Sequence, residues 1–202
     1  MKNRQNSIRI QTFEAIVIGV SAGGLAALAR ILPKFKKDFP LAVLIVQHMR
    51  RDADGFLWRH LDTLSRLTVK EAEDKEAIQP QTVYIAPPDY HLLVEPDRTL
   101  SLSAEARVNF SRPSIDVLFE TAAETYQQRL IGVILTGANN DGTRGLKTIK
   151  SYGGLAVVQS PESAESDAMP RSAIEEVAVD HIVPLDRMGR FLNDLACGNS
   201  HG

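Results

Sequence analysis

The sequence contains a single cysteine, Cys197, among its 202 residues. One cysteine cannot form a disulfide within the chain, which fits the reducing environment of the cytoplasm. No apolar run approaches the ~20 residues that a membrane-spanning helix needs, and residues 1–11 lack the apolar core of a signal peptide. We therefore expect a cytoplasmic protein that does not insert into a membrane.

The sequence also lacks an excess of charge of either sign. Lysine and arginine total 23 and aspartate and glutamate total 25, so the formal net charge is −2 at pH 7. A protein whose main partner is nucleic acid usually carries a basic surface, so this balance argues against such a partner. No metal is expected either, because His60, His91, His181 and Cys197 do not have the spacing of metal ligands.

Short apolar runs rich in β-branched residues alternate with helical segments along the chain. The runs at residues 14–20, 41–47 and 131–135 predict strands that are buried on both faces. Shorter strands are predicted at 155–159 and 181–183. Helices are predicted at residues 25–32, 55–66, 115–128, 143–151, 170–177 and 186–196. This alternation predicts an α/β fold with a doubly wound, mostly parallel sheet flanked by helices.

Residues 68–103 interrupt this alternation. Here the sequence has turns that contain proline and short segments of alternating polarity, at residues 82–85, 92–95 and 99–103. This pattern predicts an antiparallel β-hairpin inserted between two α/β units.

Three polar residues lie just past the ends of three of the predicted strands: Ser21, His48 and Asp141. In parallel α/β sheets active sites form beyond the carboxyl ends of the strands, so residues far apart in sequence meet there. A serine hydroxyl becomes a good nucleophile when a base takes its proton, and a carboxylate orients that base. The three residues therefore predict a hydrolase with Ser21 as nucleophile, His48 as base and Asp141 as orienter. This chemistry requires no cofactor.

Each of these signals has another interpretation when it is taken alone. The turn Gly19-Val20-Ser21-Ala22-Gly23 matches the G-x-S-x-G nucleophile pattern, but it also fits a structural or phosphate-binding turn. His48 alone fits a structural histidine, and Asp141 alone fits the N-cap of the next helix. A dinucleotide site is disfavoured because Ser21 replaces the middle glycine of its fingerprint. An ordinary α/β-hydrolase is disfavoured because the order here is Ser, His, Asp.

An ordered set of motifs resembles the catalytic domain of the chemotaxis receptor-glutamate methylesterases, the CheB family. Each motif is weak alone, but together they follow the order of the family between about residues 14 and 190. They are Ile18-Gly19-Val20-Ser21-Ala22-Gly23-Gly24, Val46-Gln47-His48-Met49, Val83-Tyr84-Ile85-Ala86-Pro87 with His91, Arg112-Pro113-Ser114-Ile115-Asp116, Gly132-Val133-Ile134-Leu135-Thr136-Gly137 with Asp141-Gly142, and Met169-Pro170-Arg171 with Ala173-Ile174.

The resemblance implies a serine esterase that removes methyl esters from glutamates in the cytoplasmic region of methylated chemoreceptors and releases methanol. Members of the family often also deamidate particular receptor glutamines. The resemblance gives Ser21, His48 and Asp141 the roles stated above. It assigns the oxyanion to the backbone N–H groups of Ala22 and Ala138. We further expect four residues at the pocket: Gly23, Met49, Arg112 and Met169.

The chain departs from the family pattern close to these residues. Ala22 replaces the usual threonine, and Ala138-Asn139 replaces the usual Met-Gly pair. Backbone donors tolerate such changes of side chain, but the new side chains can alter the shape of the pocket. Two alternatives therefore stay open: an esterase or amidase for another acyl substrate, and an esterase-like regulatory module that only binds.

The expected domain organisation is simple. A catalytic domain at residues 14–196 is expected between an N-terminal tail at 1–13 and a C-terminal tail at 197–202. The familiar enzymes of the family carry an N-terminal receiver domain, whereas about 14 residues precede the first predicted strand here, too few for a domain. We expect no receiver domain in this chain, so any such regulation would come from a separate regulatory or receiver protein.

Overall fold

The computed structural model describes residues 12–49, 51 and 55–198, so most of the two predicted tails lies outside it. The strands are β1 (Ala15–Val20), β2 (Ala42–Gln47), β3 (Thr68–Glu71), β4 (Thr82–Ile85), β5 (His91–Val94), β6 (Leu100–Ser103), β7 (Leu130–Ile134), β8 (Leu155–Gln159) and β9 (His181–Val183). The α-helices are α1 (Gly24–Ile31), α2 (Phe56–Leu64), α3 (Ile115–Tyr126), α4 (Thr143–Ser151), α5 (Ala168–Glu176) and α6 (Leu185–Ala196).

Seven strands form one parallel sheet in the order β3-β4-β2-β1-β7-β8-β9. β1 lies in the middle, with β2 and β4 added on one side and β7 and β8 on the other. The direction in which strands are added reverses at β1, and ligand sites of such sheets form at this reversal, beyond the carboxyl ends. The predicted fold class is confirmed, and the loops after β1, β2 and β7 meet at one edge.

Both faces of the sheet are covered by helices. Along β1, Ala15 and Val17 face a core built with α3, α4 and α5, while Ile16 and Ile18 face a second core built with α1, α2 and α6. All six residues of β1 are buried. This burial on both faces explains why the central strands read as continuous apolar runs rather than as alternating ones.

The prediction for residues 68–103 was partly wrong. Thr82–Ile85, which was placed with the inserted hairpin, is a parallel strand that pairs with β2. Thr68–Glu71, for which no strand was predicted, pairs with it at the edge of the sheet. The antiparallel hairpin itself exists and consists of β5 and β6. Among the described residues, no helix has the length and apolar character required to cross a bilayer.

Candidate active site

Ser21, His48 and Asp141 come together at the carboxyl edge of the sheet. Ser21 Oγ lies 3.2 Å from His48 Nδ1, and His48 Nε2 lies 2.8 Å from Asp141 Oδ2. Because an ionised carboxylate only accepts hydrogen bonds, the Nε2–H of a neutral His48 donates to it. The lone pair of Nδ1 then faces the serine hydroxyl. The arrangement can transfer the serine proton to the ring while the carboxylate stabilises the resulting charge.

The turn that carries Ser21 is fixed by its backbone. The Ser21 N–H donates to the carbonyl of Thr136 at 3.0 Å, and the Ser21 carbonyl accepts the Gln47 side-chain amide at 3.0 Å. Gly23 has φ of 76°, in the left-handed region, and a Cβ there would lie 2.9 Å from Glu165 Oε2. Glycine is therefore required at this position, which lets α1 begin immediately after the serine.

The carboxylate of Asp141 is 1% exposed and is surrounded by hydrogen-bond donors. Its five partners are the His48 ring (2.8 Å), the Ile115 N–H (2.8 Å), the Ser114 hydroxyl (2.9 Å), the Asp116 N–H (3.2 Å) and the Asn109 side-chain amide (3.2 Å). Two of them are main-chain groups at the N-terminus of α3, where the helix dipole favours negative charge. Burial raises the pKa of Asp141, but the hydrogen bonds from His48 and from this helix terminus outweigh burial and leave the pKa below its ordinary value.

The start of α4 differs from the N-cap interpretation of Asp141, and the cap residue of α3 makes no side-chain cap bond. Ser114 is the N-cap residue of α3, but its hydroxyl donates to Asp141 instead of making a cap bond. Asp141 is not the N-cap of α4, because Gly142 holds that position. The two helices instead exchange carboxylates: Asp116 of α3 accepts the N–H groups of Gly142 and Gly145 at 3.0 and 2.7 Å, while Asp141 accepts those of α3. This exchange fixes Asp141 relative to both helices.

Sequence reasoning did not assign Asp116 and Asn109 to this network. The Asn109 side-chain amide bridges the two carboxylates, 2.8 Å from Asp116 Oδ2 and 3.2 Å from Asp141 Oδ1. Burial raises the pKa of Asp116, and the nearby charge of Asp141 adds to the effect. Behind them, the ring of His91 accepts the Ser114 N–H at 3.1 Å. The signals for Asp116 in the sequence are its place at the end of the motif that starts at Arg112 and its position in the first turn of α3.

The groups expected to bind an oxyanion follow the same strand ends. Ala22 and Ala138 are exposed, and within the described part of the chain neither N–H donates to a protein acceptor. The N–H of Gly137, in contrast, is taken by a backbone carbonyl at 3.0 Å. A Cβ on Gly137 would collide with Met169 Sδ and lie 3.0 Å from the Cβ of Ser21. Met169 and Gly137 thus pack directly beside Ser21.

An open groove of about 600 Å³ lies next to Ser21, between α1 and α2. Its walls are mainly apolar and include Leu25, Ala26, Ala29, Met49 and Leu57. Gly23, expected at the pocket, also lines it, and His60 and Glu165 add polar groups. A water molecule takes about 30 Å³ in the liquid, so the groove holds far more than the methyl group of an ester and has room for side chains that flank the reacting one.

Residues 16–192 match the family model described as CheB methylesterase. The chain belongs to this family. It is 57% identical over 179 residues to a Leptospira interrogans protein provisionally named a protein-glutamate methylesterase/protein-glutamine glutaminase, and the match covers 89% of this chain and 93% of that one. The chain is also 39% identical to the protein-glutamate methylesterase/protein-glutamine glutaminase of Thermotoga maritima. That match covers 89% of this chain and 53% of the relative.

The fold agrees with that of a solved member of the CheB methylesterase family. The crystal structure of the Thermotoga maritima CheB methylesterase catalytic domain superposes with a TM-score of 0.87 at 38% identity, and the match covers 91% of this chain and 99% of that one. The chain therefore spans about half of the complete Thermotoga protein and nearly all of its catalytic domain.

A smaller pocket of about 170 Å³ is lined by His48. Met49 lines both pockets, and Arg112 lines this one. The guanidinium of Arg112 donates to Asp89 at 2.8 Å and to the carbonyls of Ala104 and Glu105 at 2.6 and 2.7 Å. Arg112, which was expected at the pocket, thus lies in the wall of this smaller pocket. Its N–H groups already donate to protein acceptors, so it holds together the loops near His48.

Asn139, which departs from the CheB pattern, lies beside His48. Its side-chain oxygen accepts the Asp141 N–H at 3.2 Å, and its Nδ2 lies 3.5 Å from His48 Nδ1. Nδ1 is the atom that faces Ser21. Asn139 therefore places a second, weaker donor beside the lone pair that the serine hydroxyl uses.

Proposed function

We propose that this chain hydrolyses glutamate methyl esters in the cytoplasmic region of a methylated chemoreceptor, with Ser21, His48 and Asp141 as its catalytic residues. The observation that carries the proposal is the continuous chain of contacts from Ser21 Oγ through His48 to Asp141 Oδ2, in a member of the CheB methylesterase family. We also propose that residues 14–196 form the catalytic unit.

Acylation begins when Ser21 Oγ attacks the ester carbonyl and His48 Nδ1 takes the hydroxyl proton. The carbonyl oxygen becomes negative and accepts hydrogen bonds from the N–H groups of Ala22 and Ala138, which have no acceptor within the described protein. One such donor typically contributes about 3–4 kcal/mol to the transition state. When the intermediate collapses, the C–O bond to the methoxy group breaks and His48 returns the proton, so methanol leaves and a glutamyl ester of Ser21 remains.

Deacylation repeats these steps with water. His48 takes a proton from the water as its oxygen attacks the glutamyl ester, and then protonates Ser21 Oγ as it leaves. The products are a glutamate carboxylate and the free enzyme. Asp141, whose pKa is held low by its donors, stabilises the charged ring in both halves. The same route converts a glutamine side chain to glutamate with ammonia as the leaving group, the second activity in the name of the Thermotoga relative.

Covalent trapping tests the assignment of the nucleophile. A generic fluorophosphonate should label the chain once, and peptide mapping should locate the label on the peptide that contains Ser21. The Ser21→Ala variant should not be labelled, whereas Ser151→Ala, which changes an exposed serine at the end of α4, should be labelled normally. Labelling of Ser21→Ala at the wild-type rate would refute Ser21 as the nucleophile.

A further inference from the structure

Phe110 is 95% exposed and sits at the tip of a tight turn. Val108 and Ser111 close the turn through two backbone hydrogen bonds of 3.1 and 2.8 Å. Between them Asn109 and Phe110 have φ angles of 50° and 62°. Asparagine tolerates the left-handed region, but a bulky aromatic residue rarely adopts it. The chain thus presents an aromatic ring to water on a backbone that does not favour it.

The turn is fixed to the active site on its inner side. The amide of Asn109, the residue before Phe110, donates to both Asp116 and Asp141. Phe110 itself lines the small pocket beside His48. The backbone that carries the ring is therefore tied, through Asn109, to the network that positions the Asp141 carboxylate. A rigidly presented aromatic residue loses little entropy on binding, which makes it suited to anchor a partner.

Among the residues that the structure describes, three arginines that line the same pocket as Phe110 converge on one carboxylate. Arg51, Arg107 and Arg112 all face one carboxylate, Asp89, at 2.8, 4.0 and 2.8 Å. Three cations against one anion leave an excess of two positive charges in this group. The side chains of Arg51 and Arg107 are 76% and 55% exposed. They can therefore turn toward an acidic partner without leaving a buried charge behind.

We propose that Phe110, Arg51 and Arg107 form a docking surface for an acidic segment of the substrate protein, next to the esterified glutamate. This inference rests on the proposed function. Each turnover leaves a carboxylate on the substrate, so a substrate with several modified glutamates presents carboxylates close to those still esterified. His48 lines this pocket, so a partner seated there lies beside the proposed catalytic base, which favours the substrate itself as the occupant. Complementary charge at a rim contributes mainly specificity and the rate of association.

The test compares two substrates: chemoreceptor membranes methylated in vitro, and the γ-methyl ester of N-acetylglutamate. Phe110→Ser and Arg107→Glu should each raise the KM for the membranes by about tenfold or more. They should leave hydrolysis of the small ester unchanged. Added salt should raise the wild-type KM for the membranes, and Arg107→Glu should reduce that dependence. Tyr152→Ser and Arg190→Glu, which change an exposed aromatic residue and an exposed arginine outside the site, serve as matched controls.

Several outcomes would overturn the docking surface. Equal loss on both substrates would mean that the turn supports catalysis itself, and no loss on the membranes would mean that nothing docks there. Cosedimentation of Ser21→Ala with the membranes, with and without Phe110→Ser, tests docking without turnover, and unchanged binding would also refute it. Absence of activity in the wild type on both substrates, with Phe110-dependent binding intact, would instead refute the proposed function and leave the docking surface supported.

Discussion

Replacing Asp141 by asparagine removes the charge of the carboxylate while keeping its shape. All five partners of Asp141 are donors, whereas an amide offers one accepting oxygen and an NH₂ group that only donates. In one orientation the NH₂ of the amide takes the place of Oδ2 and faces two donors, His48 and the Ile115 N–H. The other sets it against the Asp116 N–H and Asn109. Neither orientation satisfies the site.

The expected loss of activity follows from the ring of His48. If the new NH₂ faces His48, Nε2 must accept, and the proton moves to Nδ1, the atom that faces Ser21. The base is then lost, and in other serine hydrolase triads the same change lowers kcat by about 10⁴-fold. If the amide is reversed, a buried N–H of α3 loses its acceptor, which costs about 1–3 kcal/mol. We therefore expect kcat to fall by about 10³- to 10⁴-fold, together with a lower melting temperature.

The pH dependence of stability checks the charge of Asp141 separately. Its pKa in the folded chain lies below its ordinary value, so its ionisation stabilises the fold above pH ~4 and this contribution is lost as pH falls through the folded pKa. The free energy of unfolding of the wild type should exceed that of Asp141→Asn by its largest amount at pH 7, and this difference should shrink below pH ~4. Urea titrations at several pH values measure this difference.

Methanol release by Asp141→Asn gives the corresponding rate. Intact mass must show that the introduced amide, which precedes Gly142, has not hydrolysed back to a carboxylate. A folded variant that keeps more than about a tenth of the wild-type kcat would contradict the role of Asp141, because loss of the correct ring tautomer has a far larger effect.

Two further changes test the departures from the family pattern. Ala138→Met should change kcat by about threefold or less, because the proposed oxyanion donor is the backbone N–H, which a side-chain change leaves in place, and the Ala138 side chain is exposed; complete loss of activity would show that the oxyanion site is built differently. Asn139→Gly removes the weak donor 3.5 Å from His48 Nδ1 together with the acceptor of the Asp141 N–H, so kcat should change by no more than about threefold, roughly the contribution of one weak hydrogen bond; a fall of tenfold or more would show that this side chain supports the base.

The sequence predicts the central part of the fold well because burial on both faces produces an unmistakable apolar run. β1, β2 and β7 are fully buried and were all predicted. β3 was not predicted, because Thr68–Glu71 is a short strand at the edge of the sheet in which only Val69 is buried. β4 was assigned to the hairpin, because four residues of alternating polarity do not reveal whether a strand pairs parallel or antiparallel.

The candidate site also has a part that the sequence predicts and a part that it does not. Ser21, His48 and Asp141 follow strand ends, so topology alone predicts that they meet. The exchange of carboxylates between α3 and α4 could not be predicted, because Asp116 and Asp141 each bind backbone groups about 25 residues or more away in sequence. The local pattern fitted Asp141 to the N-cap of the following helix and gave Asp116 no partner, whereas contacts between the two helices determine the actual partners.

The most direct test of the central claim is methanol release from methylated chemoreceptor membranes by the wild type and by Ser21→Ala. We predict release by the wild type and none above background by Ser21→Ala, with both proteins melting at similar temperatures because Ser21 is held by its backbone. Equal release by the two proteins would contradict the account.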